Sequence, residues 1–182
     1  MKTKYTSLKS YWFLAFVTVT AIGAAMSAVA YASWHDSLPP DDLRLRVAEI
    51  IRECLRDGTG NVNGIEVHTK LPIRAPIIAE IRSYGDRLVP ILVDHLKADN
   101  PQERLIAVNL LGEIGRKTVV SHLGRVIDRE SSTMIRIVAL RWISRIDDQD
   151  AREIIIKTSE KNSDEKVREE ARQLRTAAMD IY

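Results

Sequence analysis

The sequence predicts an all-α fold, an α-solenoid of stacked antiparallel helical hairpins, and three observations support this prediction. Equivalent residues recur every 32 positions through the C-terminal part of the chain. Apolar residues within each repeat follow a helical spacing, and a polar turn separates the two amphipathic stretches of each repeat. Self-similarity at such a period is typical of solenoids, in which each unit buries its apolar face against its neighbours.

The second stretch of each repeat keeps the spacing of 32 residues most strictly. The recurring sets are Arg104, Arg136 and Arg168; Ala107, Ala139 and Ala171; Leu110, Trp142 and Leu174; and Ile114, Ile146 and Ala178. The first stretch recurs every 31 residues, as in Val89, Val120 and Ala151. The turn between the stretches must therefore lengthen by one residue per repeat, and turns absorb insertions at low cost. We expect the recurring arginines to bridge adjacent repeats.

One of these units resembles a known family. Its first stretch reads Gly-Asp-Arg-Leu-Val-Pro-Ile-Leu over residues 85–92, and its second reads Glu-Arg-Leu-Ile-Ala-Val-Asn-Leu-Leu-Gly-Glu-Ile-Gly over residues 103–115. Together they resemble a HEAT repeat, of the short kind also found in phycobilin lyases, and weaker copies follow. The resemblance implies about three HEAT-like repeats over residues 84–179. It also implies a binding scaffold, and it brings no catalytic residue with it.

Residues 42–83 are predicted to form one more, degenerate helical hairpin with a loop insertion. An apolar stripe at helical spacing defines its first helix, and it consists of Leu43, Val47, Ile50, Ile51, Cys54 and Leu55. Asp41 or Asp42 suits the N-cap position of that helix. The partner helix is the run from Pro76 to Tyr84, which Gly85 ends. The insertion between them, residues 57–70, is rich in Gly and Asn and has no helical period.

The N-terminal segment, residues 1–32, has the features of an export signal. Lys2, Lys4 and Lys9 precede an uncharged run from Tyr11 to Trp34, and small residues near position 32 suit cleavage. The uncharged run is also long enough to span a bilayer, so a retained membrane anchor is the alternative. Either reading predicts an extracytoplasmic location, periplasmic or secreted. Residues 33–41, which contain two prolines, are the predicted spacer before the helical part.

The charge balance argues against a nucleic-acid-binding array. The chain has 27 basic and 25 acidic residues, and loss of the three lysines in residues 1–32 would leave 24 basic residues against 25 acidic ones. A nucleic-acid-binding surface needs a strong excess of positive charge. The charge is nevertheless uneven, because residues 116–146 contain seven basic residues and two acidic ones.

The second stretches of the repeats also provide a candidate partner-binding surface. Positions 105, 109 and 113 and their equivalents point away from the apolar side, and the resemblance to HEAT repeats implies that this helix lines the concave surface. We assign partner binding to Leu105, Asn109, Glu113, Ile137, Arg141 and Arg145. Arg141 and Arg145 lie one turn apart and could hold a carboxylate or phosphate. A solvated helix face is the alternative interpretation.

No residue pattern in the chain indicates catalysis, a metal site or a cofactor. Cys54 is the single cysteine and lies on an apolar stripe, so we expect a buried structural thiol. His95 and His122 fall in neighbouring first helices, but two histidines alone do not make a metal site. Trp142 occupies the Leu110 position of the repeat, which predicts a core residue.

Three function classes remain open from the sequence. The first is an exported, non-catalytic HEAT-like scaffold that mediates protein–protein interaction, with a protein or peptide partner that carries an acidic group. The second is a membrane-tethered structural adaptor, which differs only in retaining residues 1–32. The third is a small lyase-like enzyme, which the lack of a clustered acid–base set disfavours.

Overall fold

The computed structural model describes residues 40–57 and 73–179, which form helices and turns. The α-helices of this part are α1 (Pro40–Asp57), α2 (Ala75–Tyr84), α3 (Val89–His95), α4 (Pro101–Ile114), α5 (Val120–Arg129), α6 (Thr133–Ile143), α7 (Gln149–Lys161) and α8 (Glu165–Met179). Short 3-10 turns, Gly85–Leu88 and Lys117–Val119, lead into α3 and α5. The predicted export signal and most of the predicted loop insertion lie outside the described residues. None of the described helices has the length and apolar character to cross a membrane.

Consecutive helices pair as hairpins, and the hairpins stack on one another. Helix α3 packs against α4, α5 against α6, and α7 against α8. The second helices form a row in which α4 contacts α6 and α6 contacts α8, while α5 contacts α7 in the row of first helices. The predicted all-α solenoid of stacked hairpins is therefore confirmed.

Helices α1 and α2 pack against the first of the full hairpins. Helix α1 contacts α3 and α4, and α2 contacts α4. Arg46 of α1 also donates two hydrogen bonds to the carboxylate of Glu80 on α2, at 2.7 and 2.8 Å. As a result α4 has neighbours on four sides, namely α1, α2, α3 and α6. This position explains why nearly every residue from Leu105 to Ile114 is buried.

The alanine positions of the repeat are buried as the sequence predicts. Ala107, Ala139 and Ala171 each have 0% of their surface exposed, and a methyl side chain at this point lets neighbouring helices approach closely. The apolar stripe of α1 is buried from Leu43 to Cys54. These residues form one continuous core along the stack, as each unit of a solenoid requires.

The ends of the helices follow local rules, with one departure from expectation. Asn100 precedes α4 and its side chain accepts a hydrogen bond from the backbone N–H of Gln102 at 2.9 Å, while Gly115 ends the helix with φ of +64°. Helix α1 begins at Pro40, so Asp41 and Asp42 lie in its first turn. The prediction that one of them is the N-cap is wrong, because proline with its fixed φ starts the helix earlier.

Arg104 connects the first full hairpin to the next one. Its guanidinium donates to the backbone carbonyls of Ala98 and Asp99 in its own turn, at 2.8 and 2.9 Å. It also donates two hydrogen bonds to Glu130, in the turn of the following hairpin, at 2.9 and 3.0 Å. Burial alone would raise the pKa of Glu130, but the hydrogen bonds from Arg104 and from the Ser132 N–H outweigh burial and lower it.

Arg136 repeats this arrangement one hairpin later. It donates to the carbonyl of Ile127 in its own hairpin and to Oδ1 of Asn162 in the next turn, both at 2.7 Å. Arg168 bonds to the carbonyl of Asn162 and to Glu165, both within its own hairpin. The predicted bridging role is therefore confirmed for Arg104 and Arg136. We call this pair the turn arginines.

Candidate partner-binding site

The indole of Trp142 lies directly on the backbone of α4. Trp142 belongs to α6, and its ring faces Gly112 of α4. A Cβ atom added to Gly112 would lie 2.1 Å from Cδ2 of the indole, closer than real atoms approach. Glycine at position 112 is therefore what allows a flat aromatic ring to rest on this helix. The ring is partly buried in this position.

Two polar contacts hold the indole in place. Its Nε1 donates a hydrogen bond to Oδ1 of Asn109 at 3.0 Å, and Nδ2 of Asn109 in turn donates to the carbonyl of Leu105 at 2.9 Å. The guanidinium of Arg145 lies over the ring, 4.6 Å from its centroid, which is within the range of a cation–π interaction. The orientation of Trp142 is thus fixed by α4, and Trp142 in turn positions Arg145.

A cavity of about 560 Å³ opens beside this ring. Helices α2, α4 and α6 and the turns that follow α4 and α6 supply its walls, which are Arg82, Gly112, Glu113, Ile114, Gly115, Arg116, Trp142, Arg145 and Ile146. A cavity of this size falls within the range of known ligand sites, about 300–1,000 Å³. We call it the Trp142 cavity.

The charged side chains of the Trp142 cavity differ in what they bind. Arg82 donates to Glu113 at 2.8 Å, and Glu113 is 13% exposed. Arg116 donates to Asp86 at 3.1 Å. The pKa of Asp86 is lowered, mainly by a hydrogen bond from the Thr118 hydroxyl and further by Arg116.

Arg145 is the exception among the cavity arginines. Within residues 40–57 and 73–179, no carboxylate lies within ion-pair distance of its guanidinium, which rests on Trp142 instead. Arg82 and Arg116 are therefore each paired with a carboxylate, and of the arginines in the cavity walls only Arg145 has a positive charge that no carboxylate in the described part of the chain neutralises.

Comparison with protein families identifies the repeated hairpins. A family model described as HEAT repeats matches residues 89–175. These residues are HEAT repeats. No curated protein and no solved structure matches the chain at a significant level. HEAT repeats generally act as scaffolds for protein–protein interaction and are typically non-catalytic.

Two of the six predicted site residues line the Trp142 cavity, at the junction of the first two HEAT repeats. Glu113 and Arg145 are both part of its walls. Ile137 is partly exposed on α6 but does not line the cavity. Arg141 lies on the same helix and donates two hydrogen bonds to Glu170 of α8, at 2.6 and 3.0 Å. The sequence predicted that Arg141 and Arg145 together hold one anion. In the structure Arg141 instead binds Glu170, and only Arg145 lines the cavity.

The prediction that Leu105 and Asn109 face an open surface is wrong. Leu105 is 8% exposed and Asn109 is 5% exposed. The helical spacing of the HEAT repeat assumes one free side of the second helix, but α4 is surrounded by four helices. Asn109 instead acts inside the protein as the acceptor for Trp142.

The prediction of Trp142 as a core residue is also wrong. For this reason the predicted site residues do not include Trp142, although its ring is central to the cavity. Trp142 is partly exposed, and together with Arg82 and Arg116 it forms cavity wall. A signal was present in the repeat alignment, since a tryptophan stands where the other HEAT repeats have leucine and a glycine stands near it in the preceding repeat. Small and large residues at facing positions indicate a close contact between helices.

The other side chains considered for chemistry are bound in local pairs. Nδ1 of His95 lies 2.7 Å from Oε1 of Glu103, and His122 contacts Arg125. Burial and the neighbouring Arg125 lower the pKa of His122. Cys54 is buried, as predicted. Within the described ranges, no group of three or more His, Cys, Asp or Glu residues is placed to hold a metal ion.

Proposed function

We propose that the chain is an exported, non-catalytic HEAT-repeat scaffold that binds a protein or peptide partner at the Trp142 cavity. The observation that carries this proposal is the cavity itself, which lies where consecutive second helices meet and combines an aromatic ring with guanidinium groups. Trp and Arg are the residue types most enriched at the energetic centres of protein–protein interfaces.

The side chains of the cavity also support the non-catalytic part of the proposal. An arginine guanidinium stays protonated at every physiological pH and cannot exchange a proton in acid–base catalysis. The one carboxylate in the walls, Glu113, is held in an ion pair by Arg82. The cavity therefore offers binding groups rather than a proton donor and acceptor.

Export is supported by the N-terminal sequence. Three lysines, an uncharged run and small residues near position 32 form the pattern of a signal segment. The membrane-tethered adaptor remains the second candidate, because the same run is long enough to span a bilayer. Mass measurement of the native protein separates the two, since a cleaved chain would begin near Ser33 and a tethered chain would retain residues 1–32.

Site-specific photo-crosslinking in the native cell envelope tests the binding site. A photoreactive phenylalanine analogue in place of Arg116, which is exposed at the cavity, should crosslink to a polypeptide partner. The matched control is the same analogue at Arg129, which is exposed on α5 outside the cavity. Equal crosslinking from both positions, or none from position 116, would contradict a partner site at the Trp142 cavity.

A further inference from the structure

We infer that the Trp142 cavity binds a carboxylate group of an acidic polypeptide segment, with Arg145 as the residue that contacts it. This inference rests on the proposed function and adds the chemistry of the partner. Three arginines and one glutamate line the cavity, and a second carboxylate, that of Asp86, is paired with Arg116, so the lining has an excess of one positive charge. A partner that brings negative charge into this space meets a favourable potential.

The three arginines are not equally available to such a partner. Arg82 and Arg116 already bind Glu113 and Asp86. Arg145 has a fixed position over the indole of Trp142, and within the described part of the chain no carboxylate neutralises it. A guanidinium held by an aromatic ring keeps its N–H donors for a carboxylate and loses less conformational entropy when it binds one.

The cavity favours a carboxylate over a more highly charged phosphate. A carboxylate brings one negative charge, which one unneutralised guanidinium matches. A phosphoryl group brings up to two charges, and the second charge would lie near Glu113, which is also in the walls. The apolar side chains of Ile114 and Ile146 further suit a peptide, because they can pack against its backbone or neighbouring side chains.

The overall charge of the chain points to a polypeptide rather than a nucleic acid. With 27 basic and 25 acidic residues, the chain lacks the strong positive excess that contacts with a phosphate backbone require. The cavity has a volume of about 560 Å³, which accommodates a few residues of an extended peptide.

Fluorescence anisotropy with two labelled peptides tests the inference on the full chain. The probes are a fluorescein-labelled decapeptide of alternating Glu and Ala and the matching peptide of alternating Gln and Ala. We expect the Glu peptide to bind and the Gln peptide to bind at least about tenfold more weakly, because the latter lacks the charge that the cavity recognises. Equal affinity of the two peptides would overturn the inference.

A pair of matched variants localises the binding. Arg145→Gln removes the charge at the cavity, and we expect it to weaken binding of the Glu peptide about tenfold or more. Arg129→Gln makes the same change on α5 outside the cavity, and we expect an affinity within about twofold of the unaltered chain. Both side chains are exposed, so both variants should fold. Equal weakening by the two variants would show a general charge effect and would overturn the inference.

Two further outcomes separate this inference from the proposed function. A phosphoserine peptide that binds more tightly than the Glu peptide, and that loses this binding in Arg145→Gln, would show that the cavity binds a phosphate. That result would overturn the carboxylate inference. Successful crosslinking at position 116 together with no binding of the acidic peptide would overturn the carboxylate inference and leave the scaffold function standing. Failure of crosslinking at position 116 would overturn the proposed function as well.

Discussion

The two junctions between successive HEAT repeats share a helix order and differ in what joins them. At the first junction, where α4 meets α6, the indole of Trp142 rests on Gly112 and a cavity opens beside it. At the second junction, where α6 meets α8, Leu174 and Ser144 stand at the equivalent positions. There an ion pair between Arg141 and Glu170 connects the two helices.

This difference shows how a repeated backbone acquires a local site. The repeat sets the spacing of the helices, and that spacing is compatible with either an aliphatic or an aromatic contact. Exchanging leucine for tryptophan requires space on the facing helix, which Gly112 supplies. The guanidinium of Arg145 then lies over the ring, so the contact between Trp142 and Gly112 also positions a basic group at the cavity.

The largest expected effect follows from removing the ring at the first junction. Trp142→Ala should lower the free energy of unfolding by about 3 kcal/mol, because it removes a large packed side chain and leaves the buried Oδ1 of Asn109 without its donor. Urea unfolding measures this change. Ile156→Ala is the control, since Ile156 is 42% exposed on α7 and should contribute within about 0.5 kcal/mol. Equal losses from both variants would contradict the structural role of the indole.

A double-mutant cycle sharpens this test. Gly112→Ala alone should destabilise the protein by about 1–3 kcal/mol, because the new Cβ would overlap the indole. In the Trp142→Ala background the same change should stabilise it by up to about 1 kcal/mol, since alanine favours the helix more than glycine does. A change of sign between the backgrounds identifies direct contact, and additive effects would refute it.

The second prediction concerns pH and one of the turn arginines, which connect successive repeats at both junctions. The pKa of Glu130 is lowered by its bonds to Arg104 and Ser132, so the stabilisation is fully present above the ordinary glutamate value of about 4.3. It is lost as the pH falls and Glu130 takes up a proton. Glu130→Gln should cost about 1–2 kcal/mol at pH 7 and flatten the fall of Tm between about pH 5 and pH 3. An unchanged slope would mean that Glu130 does not stabilise the junction as a carboxylate.

The smallest effect is expected at the second junction. Arg141→Ala should lower the free energy of unfolding by at most about 1 kcal/mol, because its ion pair with Glu170 is partly exposed to solvent. Thermal unfolding in low and high salt measures this contribution, which salt should reduce. A loss as large as that of Trp142→Ala would show that the two junctions are held by contacts of equal strength.

Most of the fold was predictable because solenoid packing repeats along the chain. The spacing of Ala107 and Ala139 identified the helix contacts, and the spacing of Arg104 and Arg136 identified the bridges between units. Each of these features depends on neighbours at a fixed distance in sequence, which a repeat alignment displays directly.

The site was less predictable, because it depends on departures from the repeat. Helical spacing assigned Leu105 and Asn109 to an open face, but it contains no information on how α1 and α2 cover α4. Alignment of the repeats likewise assigned Trp142 to the core, because it is aligned with Leu110 and an alignment takes no account of the larger size of the tryptophan side chain. Arg82 belongs to a helix before the recognisable repeats, and only the folded chain brings it beside Glu113.

The turn arginines have a consequence for how the array unfolds. Each guanidinium belongs to the second helix of one hairpin and binds the turn of the following hairpin. Opening that turn therefore removes the acceptor that the guanidinium binds there. Cooperativity is therefore transmitted along the chain through polar links as well as through the core. Local opening in one repeat should propagate to its neighbour, and amides in adjacent repeats should exchange with solvent as a single unit.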